Sequence, residues 1–322
     1  MSLHPELTAF LDLVEEGRLA GRPPLHALSA VAARESFEQA SAGLAWPLPQ
    51  QVARRALSAR TRDGATLGLR LYLPEDLPEV AGDRPWPVLL YFHGGGYVVG
   101  GLDSHDGICA ELAWRTPCAV LAVDYRRAPE HRFPTALFDA EDALRWLQAE
   151  GPALGLDVSR LAVGGDSAGA TLATVLAIQA ARAPRDWPQI RLQLLCYPST
   201  DASRTTVSSD LFDEGYLLES ATLEWFYEQY QRTPADRLDW RFSPLLCENV
   251  QGAAPAFVGL AQYDPLHDEG VAYAEHLRRA GVSVTCRQYP ATHDLLRMGA
   301  IMPGIDEVYA QLASSLAQAL HN

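Results

Sequence analysis

The sequence predicts an α/β fold, a mostly parallel central sheet flanked by helices. Three observations predict it. Continuous apolar runs, expected of strands buried on both faces, recur along the chain from Val88 onward. Helical stripes lie between those runs, and strands alternating with helices build parallel sheets. The chain has 322 residues, enough for one large α/β domain with a lid, which buries roughly three-quarters of its unfolded surface.

Taken in order, residues 1–45 read as helical. Leu7, Phe10, Leu11 and Val14 sit at i, i+3, i+4 and i+7, an amphipathic stripe. Pro23-Pro24 ends it, a second helical stretch covers Leu28 to Gln39, and Trp46-Pro47-Leu48-Pro49 reads as a linker. The pattern changes from Val52. Thr66 to Leu73 alternates, with Leu67, Leu69, Leu71 and Leu73 on one face of a half-buried strand. Val88 to Phe92 is a central strand. Ala119 to Val123, Leu161 to Val163, Leu192 to Cys196 and Ala256 to Ala261 read alike, and Val282 to Tyr289 is the last strand. Helical patterns cover Ala136 to Glu150, Ala168 to Arg182, Glu269 to Ala280 and Ile305 to Leu320. Asp201 to Asn249 is too long for a connection between strands. It reads as a lid, expected to pack with the N-terminal helices as one cap. The division is therefore 1–45 (cap helices), 46–200 (first part of the core), 201–249 (cap insertion) and 250–322 (second part of the core).

Composition narrows the function. Hydrophobic residues make up 48% and charged residues 20%, values of an ordinary globular protein. Acidic residues outnumber basic ones by 40 to 26, a net charge of −14. Phosphate backbones and anionic membrane surfaces repel such a chain, so neither nucleic acid nor membrane insertion is expected. No apolar run reaches the ~20 residues of a spanning helix. The acidic N-terminal stretch is unlike a signal peptide, and a cytoplasmic location is expected. The five cysteines, Cys109, Cys118, Cys196, Cys247 and Cys286, are scattered without metal-binding spacing and read as reduced thiols.

Gly165-Asp166-Ser167-Ala168-Gly169 fits G-x-S-x-G between a strand and a helix. The serine must sit on a sharp, strained turn for its hydroxyl to project, and the flanking glycines let strand and helix approach. The helix N-terminus places N–H groups and partial positive charge beside it. A phosphate-binding turn is the alternative, but no lysine follows to complete a P-loop. His93-Gly94-Gly95-Gly96 leaves the end of the Val88–Phe92 strand, where ligands bind in such sheets. Acyl transfer needs N–H donors aimed at a developing oxyanion. In α/β-hydrolases this loop type supplies them, together with the residue after the nucleophile, here Ala168. His93 reads as fixing the loop rather than as a base.

A serine hydroxyl is a weak nucleophile until a base takes its proton. Of the nine histidines, His293 follows the last predicted strand and fits the chain order serine, acid, histidine. Asp264 closes the preceding strand before Pro265 and would hold the imidazole tautomer. Asp268 is the alternative acid, though it reads better as an N-cap. Asp294 adjoins His293.

These residues resemble the hormone-sensitive lipase-like carboxylesterases, also called family IV esterases, in their GDSAG subgroup. The resemblance runs through His93 to Gly100, Asp124 to His131, Gly164 to Gly169, Cys196 to Thr200, Glu214 to Leu218 and Asp264 to Glu269. It implies an α/β-hydrolase fold under a helical cap, and hydrolysis of short- to medium-chain acyl esters through an acyl-enzyme, with no cofactor and no metal. It makes Ser167 the nucleophile, Asp264 the acid and His293 the base. It gives Gly95, Gly96 and Ala168 as oxyanion donors and Gly94 as a loop-shaping residue, and expects Glu130 to brace the elbow. The partner expected is a small-molecule ester, and a homodimer is compatible with the sequence. Two departures stand out. Ala170-Thr171 replace the usual Gly-Asn, and Asp294-Leu295 replace the usual Gly-Phe after the histidine, which puts a carboxylate beside His293. Alternatives are amide hydrolysis or acyl transfer on the same three residues, or a non-catalytic receptor of the kind that lacks the histidine. The aromatics Trp225, Phe226, Tyr227 and Tyr230 either line the acyl pocket or pack the cap's own core.

Overall fold

Leucine- and valine-rich runs that cannot remain in water pair edge to edge and are covered from both sides. The structure, a computed structural model, describes residues 3–44, 46–75, 84–203 and 205–321. Among them, eight strands form one sheet: β1 (Val52–Arg60), β2 (Thr66–Pro74), β3 (Trp86–Phe92), β4 (Ala119–Asp124), β5 (Leu156–Asp166), β6 (Ile190–Cys196), β7 (Ala256–Tyr263) and β8 (Val284–Thr292). The strand order is β1-β2-β4-β3-β5-β6-β7-β8. β1 pairs antiparallel with β2 and β2 antiparallel with β4, and all other pairings are parallel.

The helices are α1 (Pro5–Leu19), α2 (Ala30–Gly43), α3 (Asp106–Arg115), α4 (Thr135–Glu150), α5 (Ala168–Arg182), α6 (Val207–Leu211), α7 (Ser220–Tyr230), α8 (His267–Arg279) and α9 (Ile305–His321). Alternate residues of β3 serve opposite faces. Val88, Leu90 and Phe92 join a core with α4, α5 and α8, while Leu89 and Tyr91 join a second core with α3 and α9. Register aligns the carboxyl ends: Phe92 lies opposite Gly165, Asp166 opposite Cys196, and Tyr263 opposite Thr292. The loops that follow these strands open on one edge of the sheet, where ligands bind in folds of this kind.

Outside the 201–249 insertion, two elements have no counterpart among those the sequence predicts. β1 carries Arg54, Arg55 and Arg60 and pairs only with β2, so an edge position removes the need for an apolar run. In α3, Ile108 to Ala113 are all buried, Glu111 included, which erases the amphipathic stripe that would announce a helix. β8 extends to Thr292 rather than ending at Tyr289, so His293 leaves the strand end directly.

The N-terminal segment meets the 201–249 segment. Arg18 Nη1 of α1 lies 2.5 Å from Glu219 Oε1, and His26 Nδ1 lies 2.9 Å from Thr222 Oγ1 of α7. Glu130 does not brace the elbow. It is half exposed and pairs with Arg34 of α2 at 2.5 Å, because a surface carboxylate is better served by a guanidinium than by a dry turn. Arg34 also donates to the carbonyls of Val98 and Ala128. Among the described residues, no helix is long and apolar enough to cross a membrane. All five cysteines are free, and only Cys286 is not fully buried.

Candidate active site

The turn from β5 into α5 is built by contact distance. A Cβ at Gly165 would lie 2.4 Å from the Phe92 carbonyl oxygen, and one at Gly169 only 2.0 Å from it. Only glycine lets this turn sit so close to β3. Ser167 itself has φ 51° and ψ −124°, a strained conformation that side chains rarely adopt and that persists only where the surroundings hold it. Its hydroxyl stands where α5 begins.

His293 and Asp264 converge on it from β8 and β7. His293 Nε2 lies 3.0 Å from Ser167 Oγ, and Nδ1 lies 2.7 Å from Asp264 Oδ2. The Leu266 N–H donates to the other carboxylate oxygen at 2.9 Å and fixes it. With the carboxylate facing Nδ1, that nitrogen carries the proton and Nε2 is free to accept from the hydroxyl. Burial pulls the His293 pKa down, but the charge and hydrogen bond of Asp264, with Asp294 and Asp166 behind them, outweigh it and raise it above the ordinary imidazole value. The edge of the Tyr197 ring closes one side of the imidazole, with centroids 4.8 Å apart. Asp268 is neither the acid nor an N-cap. Leu266 holds the cap position of α8, and Asp268 accepts from the Ser208 N–H at 2.9 Å, tying α6 to α8.

The loop after β3 is wired to the elbow through one carboxylate. Asp166 Oδ1 accepts from the Gly94 N–H at 3.1 Å and the Tyr91 hydroxyl at 2.6 Å. A Cβ at Gly94 would sit 2.4 Å from Asp166 Oδ2. His93 Nδ1 faces the Gly94 carbonyl at 2.7 Å, and its ring stacks on Tyr125 at 4.2 Å. Burial drives its pKa down to about 3, so this ring is neutral. Gly95 and Gly96 have φ of 110° and 57°. Among the described residues, the amides of Gly95, Gly96 and Ala168 donate to no backbone or side-chain acceptor.

All three of these residues, with Ser167 and His293, line a cavity of about 190 Å³. Leu25 and Phe37 from the N-terminal segment, and Leu218, Leu223, Phe226 and Tyr227 from the insertion, form its apolar walls. The aromatic group of α7 divides. Phe226 presses against Gly96 and Tyr227 joins it in the wall, while Tyr230 stacks on Tyr97 at 3.8 Å inside the core. Trp225 is half-buried beside Phe226. Among the described residues, no group of three or more His, Cys, Asp or Glu side chains is placed to hold a metal ion. Two site features escape sequence reading: the bridging carboxylate of Asp166, and the buried guanidinium of Arg297 in the loop after β8. Neither has a local pattern that could reveal it.

A mostly parallel sheet of this order, with a serine on the strand-to-helix turn and a histidine and an aspartate from later strand ends, defines an α/β-hydrolase. Known proteins agree. Residues 89–296 match the family described as the alpha/beta hydrolase fold. An ethyl acetate hydrolase of Pseudomonas putida is 52% identical over 99% of this chain and 100% of its own length. The carboxylesterase NlhH of Mycobacterium tuberculosis is 37% identical over 80% of this chain and 81% of its own. Among solved structures, an ester hydrolase from the metagenome of Lake Arreo, complexed with a bipyridine phosphonate derivative, superposes with a TM-score of 0.92 at 36% identity, covering 99% of this chain and 100% of that one. A thermostable esterase from Pseudomonas putida ECU1011 gives a TM-score of 0.91 at 32% identity, covering 99% and 98%. The chain belongs to the α/β-hydrolase family, in its hormone-sensitive lipase-like branch.

Proposed function

We propose that the protein is a carboxylesterase that cleaves short-chain acyl esters through an acyl-enzyme on Ser167. The observation that carries this reading is the chain of contacts from Asp264 through His293 to Ser167, 2.7 Å and 3.0 Å long, at the floor of an apolar cavity. Ser167 Oγ attacks the ester carbonyl while His293 Nε2 takes its proton. The amides of Gly95, Gly96 and Ala168 receive the oxyanion, each donor worth about 10²–10³ in rate. His93 and Gly94 shape that loop. His293 then gives the proton to the leaving alcohol, and a water, deprotonated by the same nitrogen, releases the acid. The N-terminal helices and the 201–249 insertion act together as the cap. A cavity of about 190 Å³ is smaller than the roughly 300–1,000 Å³ of most ligand pockets, which favours small esters over lipids. The name of the Pseudomonas putida relative points the same way.

Ser167→Ala should fold normally and lose more than 99% of p-nitrophenyl acetate turnover, roughly a 10³-fold fall or greater. A fluorophosphonate probe should label the native protein and not the variant. Retained turnover, or no labelling of the native chain, would overturn the assignment and return the receptor reading. Matched ester and amide substrates, assayed in parallel, separate esterase from amidase chemistry.

A further inference from the structure

Asp294 and Arg297 stand at the edge of the site and take no part in the proton transfers above. Asp294 has φ 63°, a left-handed conformation that Asp and Asn tolerate better than other side chains. That turn folds its carboxylate back, with Oδ1 4.0 Å from His293 Nε2, the nitrogen that faces Ser167. The other oxygen, Oδ2, receives Arg297 Nη1 at 2.9 Å. Arg297 is 5% exposed, unusual for a guanidinium. Its Nη2 donates to Ser41 Oγ, and its Cζ lies 3.9 Å from the centroid of the Phe37 ring. Ser41 and Phe37 both belong to α2, and Ser41 Oγ is anchored on the Phe37 carbonyl at 2.6 Å. Phe37 and Asp294 in turn line the cavity. A single buried cation thus joins the histidine loop to the helix that walls the substrate space.

We propose that Asp294 and Arg297 form a charge-balanced latch: Asp294 is a positioning residue whose carboxylate stands beside the His293 nitrogen that faces Ser167, Arg297 offsets that charge, and the same guanidinium pins α2 over the cavity. The inference rests on the reading of His293 as the base. The other groups facing the imidazole are Asp264 at the end of β7, Asp166 at the end of β5 and the Tyr197 ring after β6. From the cap side, Arg18, Arg22 and Glu219 line the same cavity, Arg18 being paired with Glu219. None of these changes when Asp294, Arg297 or Ser41 is substituted, so a difference between such variants reports the latch.

The signs separate the latch from mere packing. Asp294→Asn keeps the left-handed turn and an oxygen for Arg297 but removes the charge. Arg297→Met leaves Asp294 uncompensated. Arg297→Lys keeps the positive charge. The measurement is the imidazole titration of His293 by ¹H–¹⁵N NMR in the ligand-free protein, alongside the acid limb of kcat/KM, which reports the free enzyme. Asp294→Asn should lower the apparent pKa by about one unit, Arg297→Met should raise it by a comparable amount, and Arg297→Lys should leave it near the native value. Hydrogen exchange at the α2 amides should quicken in Arg297→Met and in Ser41→Ala, but not in Asp294→Asn. The latch is overturned if Asp294→Asn leaves the titration unmoved or raises it. It is equally overturned if Arg297→Met lowers it, or if α2 exchange ignores both Arg297→Met and Ser41→Ala. Should Arg297→Met fail to fold, Asp294→Asn and Ser41→Ala still decide. The NMR titration is read without turnover, so the two failures are distinguishable: an inactive native protein would sink the esterase reading, while an active one whose His293 titration ignores Asp294→Asn would sink the latch alone.

Discussion

A methyl group at position 96 has no room. Its Cβ would lie 2.2 Å from Phe226 Cγ, and φ of 57° already strains any side chain there. Gly96→Ala should therefore twist the loop and, on the proposed mechanism, misaim an oxyanion donor, lowering kcat on the order of 10²-fold with a smaller effect on KM. Adding Phe226→Ala removes the collision but not the backbone strain. The double variant should recover part of the lost Tm while kcat stays low, and equal recovery of both would show that the clash alone matters. At this scale the sequence was informative wherever a role is local. Ser167 sits in a pentapeptide with its own geometric logic, and Asp264 and His293 each end a strand that can be recognised by composition. Asp166 and Arg297 were silent for a physical reason. Their partners lie far off in the chain, Tyr91 at 75 positions from Asp166 and Ser41 at 256 from Arg297, and a pairing across that distance leaves no spacing to read.

Helix α8 shows what an element can hide. Its first turn carries Asp268 and Glu269, which in isolation would be a solvated acidic start favoured by the helix dipole. Glu269 is instead buried, its Oε1 accepting from the Thr200 and Asp201 N–H groups at 2.5 and 3.2 Å. Burial raises its pKa to about 8, against the pull of those two hydrogen bonds. The unfolded chain releases this proton near the ordinary glutamate value of about 4.3. Between that value and about 8 the folded state holds the extra proton, so this group's contribution to stability shrinks as pH rises and is gone above the folded pKa. Glu269→Gln keeps the accepting oxygen and cannot ionise. Its Tm relative to the native protein should climb steadily from pH 5 to about pH 8 and then level off in scanning calorimetry. A difference constant across that range would mean the carboxyl is ionised throughout. The buried parallel strands and α5 announce themselves because doubly covered strands must be apolar end to end. β1 and α3 do not, since one sits at the sheet edge among arginines and the other is buried all round.

For the molecule as a whole, the question is what the first helix, α1, adds to a sheet that folds by burial. α1 has one fully buried residue, Leu7, and leaves Leu13, Val14 and Leu19 exposed. Its tie to the insertion, Arg18 to Glu219, spans 201 positions and is partly open to solvent, so it adds little to stability. Yet Val14 and Arg18 line the cavity, and the helix closes one side of the space in which an ester would bind. Stability and substrate contact are therefore held by different parts of the chain. Removing residues 1–20 should cost about 2–3 kcal/mol, mainly the burial of Leu7. The sheet should still melt cooperatively, only a few degrees lower. On the proposed function, the wall that α1 supplies would touch bound ester and transition state equally, so KM for p-nitrophenyl acetate should rise while kcat changes little. Steady-state kinetics with thermal melts of the truncated chain test both halves. A fall in kcat at unchanged KM would place α1 in the chemistry rather than in the wall, and loss of cooperative melting would make it part of the folding core.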